Sequence, residues 1–260
     1  MPARAGFKPT KPWKSEDLRF PHNDFVDFAR TQEPQTHLVK TENPKSRKRK
    51  RRRRILLAAL FIALPLGHWC CFPSPVKDLW PPEPREPAYQ VDIVFWDWHT
   101  FVIYPQNFPN DFESYLEWEF VEEAWYLEGK RGVTGAFRSV CWPTDAALGR
   151  LARRKPFWDR HPNRDLERWT FYLSENGMKK TITYLESDKA ELLDGYEDWY
   201  AAESSYHIFF LCHHFTLQAL REGGLPVAPW WGFTGWMTRI QLNRVQDYHE
   251  EAGLVADGED

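Results

Sequence analysis

The stretch "KSRKRKRRRR" (Lys45–Arg54), followed at once by "ILLAALFIALPLGHWCCFPSPV" (Ile55–Val76), divides this chain more sharply than any other feature. Nine of the ten residues in Lys45–Arg54 are basic, and the next 22 contain no Asp, Glu, Lys or Arg. A helix of about 20 apolar residues crosses the ~30 Å hydrocarbon core of a bilayer. Basic residues beside such a segment stay on the cytoplasmic side. The expectation is a single-pass anchor over 55–76, with the N-terminus inside and the remaining chain on the periplasmic or extracellular side. A signal peptide has a similar apolar region, but 54 residues ahead of it argue against one. Beside an anchor the basic run touches anionic lipid heads. Nucleic-acid binding would need a free basic arm and is not expected.

The charge divides at the same point. Residues 1–54 hold 16 basic and 6 acidic residues, a net of +10. Residues 55–260 hold 18 and 31, a net of −13. Such asymmetry implies different surroundings for the two parts. Residues 1–54 read as a disordered cytoplasmic tail. Six prolines between Phe72 and Pro87 read as a stiff extended segment, with 77–87 as a linker. The folded domain is expected over 88–242 and an acidic tail over 243–260. With 14 Trp and 18 Phe the chain has the apolar volume for a true core. Its four cysteines form no CxxC, so neither a disulfide framework nor a zinc ribbon is indicated.

Within the domain, "VDIVFWDWHTFVIY" (Val91–Tyr104) is rich in β-branched and aromatic residues and reads as one or two strands. Period-two alternation puts Ile93, Phe95, Asp97, His99, Phe101 and Ile103 on one face. In "SYLEWEFVEEAWY" (Ser114–Tyr126), Tyr115, Glu117 and Glu119 face one way and Leu116, Trp118 and Phe120 the other. Thr144 is expected to cap a short helix, "MKKTITYL" (Met178–Leu185) to be a strand, and 187–202 to be a helix capped by Ser187. Cys212 to Arg221 has helical spacing and stops at Gly223–Gly224. Strands mixed with separated helices indicate an α+β fold.

Cys212 stands at the start of that last helix, where unpaired backbone N–H groups favour negative charge. A thiol there titrates below its free value, more so beside a histidine, and the thiolate is the nucleophile. The same amides can hold an oxyanion during acyl transfer. A general base must come from elsewhere in the fold, and His99, in the middle of a strand run, is the best candidate. Glu117 on the next strand is expected to orient the imidazole, with Glu119 and Asp97 in reserve. Each of these residues also has an ordinary reading: a buried Cys is commonly a small hydrophobe.

Four blocks in order carry a resemblance: "DWHTFVIYP", "YLEWEFVEEAWY", "CWPTDAAL" and "YHIFFLCHHFTLQALREGGLPV". Together they span most of 91–227. They resemble a bacterial family known as domain of unknown function 2459, which is itself similar to circularly permuted papain-like (NlpC-type) cysteine hydrolases and acyltransferases. The cysteine block also resembles that of lecithin retinol acyltransferase-like proteins, another permuted branch. The resemblance implies an antiparallel sheet packed against helices. It also implies a His-first, Cys-last site with His99 as base, Glu117 as orienting residue and Cys212 as nucleophile. No cofactor or metal is expected. The sequence departs from the family pattern at Leu211, where the family has Asn, at Glu119 and Val121, where it has glycines, and at His213.

The function expected is a membrane-anchored cysteine hydrolase or acyltransferase acting on an amide, ester or thioester, its substrate unknown. The alternative is a catalytically silent, tethered binding domain of the same fold. A metal site using His99, His207, Cys212, His213 and His214 has suitable ligand types. It is disfavoured because adjacent residues on a helix point about 100° apart. "PWWGFTGWM" (Pro229–Met237) reads as an aromatic cover over the sheet or as a lip beside the cysteine.

Overall fold

The computed structural model describes residues 52–55, 73–82, 87–107, 111–130 and 132–251. The chain divides into two units, Met1–Pro65 and Leu66–Asp260. In the first, only the helical turn at 52–55 is described. The anchor expected over 55–76 therefore lies outside the described residues except at its two ends, as does the tail before residue 52. No helix among the described residues is long and apolar enough to cross a membrane.

The second unit is α+β. Seven strands form one sheet: β1 (Tyr89–Trp96), β2 (His99–Asn107), β3 (Asp111–Glu122), β4 (Ala146–Arg153), β5 (Leu166–Leu173), β6 (Lys189–Leu192) and β7 (Trp199–Ala202). Their order is β5-β1-β2-β3-β4-β7-β6, with antiparallel pairing throughout. Short helices α1 (Glu123–Tyr126), α2 (Val133–Cys141) and α3 (Phe157–Arg160) join strands. Three longer ones, α4 (Glu175–Ser187), α5 (Cys212–Glu222) and α6 (Gly235–Glu251), supply the helical layer.

Strand alternation sends one set of side chains to that layer. Ile93 and Phe95 of β1, Val102 of β2, Trp118 and Phe120 of β3 and Phe171 of β5 bury against Met178, Phe215, Leu217, Leu242 and Val245. The opposite face buries Val94, Phe101 and Ile103 under Phe157 of α3. This corrects the single face expected for 93–103. A two-residue turn at Asp97–Trp98 pairs Trp96 with His99, so residues on one face have even numbers in β1 and odd numbers in β2. Asp97 adopts the left-handed conformation the turn requires (φ 56°), which Asp tolerates better than most residues.

Three element assignments also differ from the sequence reading. Residues 146–153, expected as a helix, form β4 because β3 and β7 take up hydrogen bonds on both its edges. Residues 178–185, expected as a strand, lie in α4, started by Ser174, whose hydroxyl accepts from the Gly177 N–H (3.1 Å). Residues 187–202, expected as a helix, form the β6–β7 hairpin, where Gly195 (φ 83°) and Asp198 (φ 65°) reverse the chain.

Two boundaries move as well. Helix α6 runs to Glu251, with Val245 and His249 buried, so 243–251 are part of the fold and not a tail. Residues 73–82 are docked onto the domain and do not form a free spacer. The Val76 N–H donates to the Gly224 carbonyl (3.0 Å), Arg221 Nη1 to the Ser74 carbonyl (3.1 Å) and the Ser174 N–H to the Leu79 carbonyl (3.2 Å). Gly224 (φ 96°) leaves the space this strap occupies: a Cβ there would lie 2.5 Å from that of Leu79. Trp80, 1% exposed, stacks on the His249 ring at 5.5 Å. Deleting such a side chain costs about 3–5 kcal/mol. Trp80→Ala is therefore expected to lower the unfolding free energy by that much, seen in equilibrium unfolding as a lower urea midpoint with an unchanged slope.

His249 Nε2 accepts the Tyr172 N–H on the outer edge of β5 (2.9 Å), which requires that nitrogen to be unprotonated. Burial lowers its pKa to about 4, below the 6.5 of an exposed histidine. A depressed folded value means that stability is full above pH 6.5 and falls as pH drops toward 4. His249→Gln keeps an acceptor and cannot titrate. Its unfolding free energy should decline less than wild type between those two pH values in parallel denaturant titrations.

Candidate active site

Helix α5 begins at the tip end of the β1–β2 hairpin. Its N-cap, Leu211, has no side-chain acceptor, and the His214 ring takes part of the cap's role: its Nδ1 accepts the Leu211 N–H at 3.2 Å. The first intrahelical bond runs from the Phe215 N–H to the Leu211 carbonyl. The amides of Cys212, His213 and His214 therefore have no partner within the helix.

Cys212 is 4% exposed, and its sulfur lies 3.8 Å from the Trp98 carbonyl. The His99 imidazole, the Thr100 N–H and the Thr100 hydroxyl all approach that sulfur. Burial alone raises the thiol pKa. The charge and hydrogen bond of His99, then the backbone and side-chain hydrogen bonds of Thr100, outweigh it, and the pKa falls below the usual 9.0. His99 shows the reciprocal behaviour. Burial lowers its pKa, but the Cys212 charge and hydrogen bond, followed by Glu119, raise it from 6.5 to about 10. Each group therefore favours the charged form of the other.

His99 stands at the start of β2 with its side chain 18% exposed. Its ring meets Phe101 edge-on (4.7 Å) and lies over Tyr126 of α1 (6.0 Å, 29°). Its Nε2 is 3.6 Å from Glu119 Oε2, and that carboxylate oxygen accepts the Tyr126 hydroxyl at 3.1 Å. With Nε2 turned to Glu119, Nδ1 is left for the sulfur.

The sequence reading put Glu117 in this role. The β2–β3 register corrects it: Glu119 pairs with Phe101 and Glu117 with Ile103, so Glu119 is about 6–7 Å nearer His99 along the strand. Glu117, its side chain 2% exposed, is held by Arg160 of α3. Its pKa is raised by burial, against the pull of Arg160, with Glu119 adding repulsion. Asp97 is exposed in the hairpin turn and takes no part.

The other histidines of the segment are not brought to one point. His213 stacks on Phe95 (5.2 Å), and its pKa falls to about 3, through burial first and then the charges of His99 and His214. Burial lowers His214 to about 4. His207 Nδ1 accepts the Phe209 N–H (3.2 Å). No cluster of three or more metal-ligating side chains occurs among the described residues.

Tyr206, Tyr126 and Thr100 are the residues that sequence reasoning missed. The Tyr206 hydroxyl stands against both the thiol and the backbone N–H of Cys212, and its pKa is raised well above 10 by burial and then by the Cys212 charge. Its place comes from long-range pairing, since its backbone exchanges hydrogen bonds with Thr144 (3.0 and 2.9 Å). Only Thr100 had a local signal, as the neighbour of the proposed base.

Because Glu119 helps to raise His99, removing its charge weakens the imidazolium and with it the thiolate. A thiolate absorbance titration should therefore place the Cys212 pKa higher in Glu119→Gln than in wild type. Glu117→Gln should change it less. Compared with known proteins, the chain matches no family model, no curated protein and no solved structure.

Proposed function

We propose that the chain is a membrane-tethered cysteine hydrolase or acyltransferase with Cys212 as nucleophile, His99 as acid–base and Glu119 as the residue that orients the imidazole. The observation that carries this reading is the buried sulfur–imidazole pair at a helix N-terminus, with a carboxylate 3.6 Å from the imidazole Nε2. A His-first, Cys-last order on an antiparallel sheet suits the circularly permuted papain-like fold implied by the sequence resemblance.

The Cys212 thiolate attacks the carbonyl carbon of an amide, ester or thioester, and a C–S bond forms. Charge moves to the carbonyl oxygen, which amides at the start of α5, without partners inside the helix, can receive. Collapse of the tetrahedral intermediate breaks the bond to the leaving group, which takes the His99 proton. The acyl-enzyme is then attacked by water or another nucleophile, whose proton His99 accepts, and the thiolate is released. Glu119 keeps the ring facing the sulfur through both steps.

Tethering is part of the same reading. The uncharged run from Ile55 and the basic run before it suit a single span, with this domain on the exported side. Since residues 73–76 are non-helical and docked on the domain, such a span ends before Pro73.

One observation favours a second reading. A thiol only 4% exposed suits a silent binding domain that has kept the fold without the reaction. Full-length protein carrying Ser at Cys70, Cys71 and Cys141 separates the two. In the catalytic case, iodoacetamide labels Cys212 rapidly near pH 6, and His99→Ala slows it by ~10-fold or more, since the thiolate population collapses. An acyl ester then leaves one acyl group on Cys212 by mass spectrometry. Labelling that needs denaturant, or that ignores His99, would establish the silent domain.

A further inference from the structure

Five large apolar side chains stand exposed around the first turn of α5: Trp98 (65%), Ile208 (41%), Phe209 (69%), Trp230 (55%) and Trp236 (60%). They come from separate stretches of chain, each of which reaches residues 212–214 directly or through one intervening ring. The Trp98 carbonyl lies 3.8 Å from the Cys212 sulfur. Phe209 meets Phe233 edge-on (6.1 Å), and Phe233 meets His214 in the same way (5.2 Å). Gly232, two residues after Trp230, packs so closely that a Cβ would be 3.2 Å from the His214 nitrogen. Gly235, next to Trp236, packs on Phe95, whose ring stacks on His213.

Two of the stretches that supply these side chains are uncharged: neither 204–220 nor 225–238 contains an Asp, Glu, Lys or Arg, in a chain that is 27% charged. Asp97 beside Trp98 and Arg239 packed against Gly235 form a charged edge to the patch. An exposed aromatic patch with a polar rim has a ligand or partner in view. Trp and Phe next to charged groups match the boundary between lipid headgroups and acyl chains, where Trp concentrates.

The chain itself favours a bilayer over other apolar partners. The 17 residues between Ile55 and Pro73 are uncharged and directly follow the basic run. From Ser74 onward the strap is fixed to the far end of α5, with Val76 bonded to Gly224. Eleven residues of helix span ~16 Å, so the chain's entry point and the patch are one helix length apart. A domain lying with α5 along the membrane brings both to the surface. We infer that the aromatic rim around Cys212 is a bilayer-docking surface, so that the mouth of the site opens at the lipid interface. This inference does not depend on Cys212 being a nucleophile.

The test uses the full chain reconstituted into phosphatidylcholine–phosphatidylglycerol vesicles and subjected to hydroxyl-radical footprinting. Phe137 of α2 (62% exposed) and Trp142 just after it (61%) serve as internal controls of matching exposure. Trp98, Phe209 and Trp236 should be oxidised several-fold less than these controls. Lipids brominated near the headgroup end of the acyl chains should quench part of the tryptophan emission, and Trp98→Leu/Trp236→Leu should lose part of that quenchable emission. Oxidation equal to the controls, or failure of the chain to float with vesicles, overturns the inference. Protection without bromine quenching also overturns it and assigns the patch to a protein partner or a second copy. The alkylation of Cys212 is read separately, so failure of either reading is visible without the other.

Discussion

A hydrogen bond between two threonine hydroxyls, Thr100 and Thr216, joins strand β2 to helix α5 at 2.9 Å. Both residues are 1% exposed. Thr100 follows the imidazole-bearing residue, and Thr216 lies one turn beyond the cysteine. The tie therefore fixes the helix start against the strand start at the place where sulfur and imidazole meet. In a dry interior its loss is costly, since an unpaired buried hydroxyl forfeits about 1–3 kcal/mol. The same strand residue sends its N–H and hydroxyl toward the sulfur, so one threonine both locks the two elements and helps to hold the thiolate. Helix α5 has little freedom to slide, because eight of its eleven residues are buried.

The sheet face carrying His99 is unusual in burying carboxylates beside aliphatic side chains. Each is held by a different local solution. Asp92, fully buried, accepts from Arg168 (2.9 Å), Thr170 (2.7 Å) and Gln90 (2.8 Å). Glu117 is paired with Arg160. Glu119 accepts a neutral tyrosine hydroxyl and has the imidazole as its ion-pair partner. Buried charges cost several kcal/mol to desolvate, so they persist where a partner offsets that cost. Arginines neutralise the first two. For Glu119 the compensating cation is His99, which makes the protonated imidazole part of what keeps this face folded.

Much of the site was legible from local sequence, because the chemistry of a cysteine at a helix start and a histidine in a strand run does not depend on distant contacts. The choice between Glu117 and Glu119 was not legible. It turns on the parity of a two-residue hairpin turn and on the β2–β3 register, neither of which period-two alternation reveals. The misread elements share a cause. "AALGRLAR" has good helix formers but becomes a central strand because β3 and β7 hydrogen-bond to it on both sides. "MKKTITYL" alternates like a strand, yet the buried residues of its helix are Gly177, Met178, Thr181 and Leu185, a helical spacing that only the Ser174 cap could have revealed. The docking of 73–82 was hidden because a proline-rich composition describes the free chain, while Leu79 and Trp80 find their places in glycine-lined gaps that other elements create.

Four buried or half-buried histidines show how environment, not residue type, decides which imidazole keeps its proton. His213, His214 and His249 lose their protons chiefly to burial, with aromatic rings and backbone amides as neighbours. His99 suffers the same desolvation and still gains affinity for its proton, because a thiol able to ionise and a carboxylate flank it. The neutrality of His213 matters to this outcome. A second cation one residue from Cys212 would compete with His99 for the thiolate charge and weaken the imidazolium. Stacking that ring on Phe95, away from solvent, removes the competitor. The sequence "CHHF" thus places two imidazoles beside the sulfur, and the fold silences both, so that the proton stays on the imidazole delivered by the facing strand.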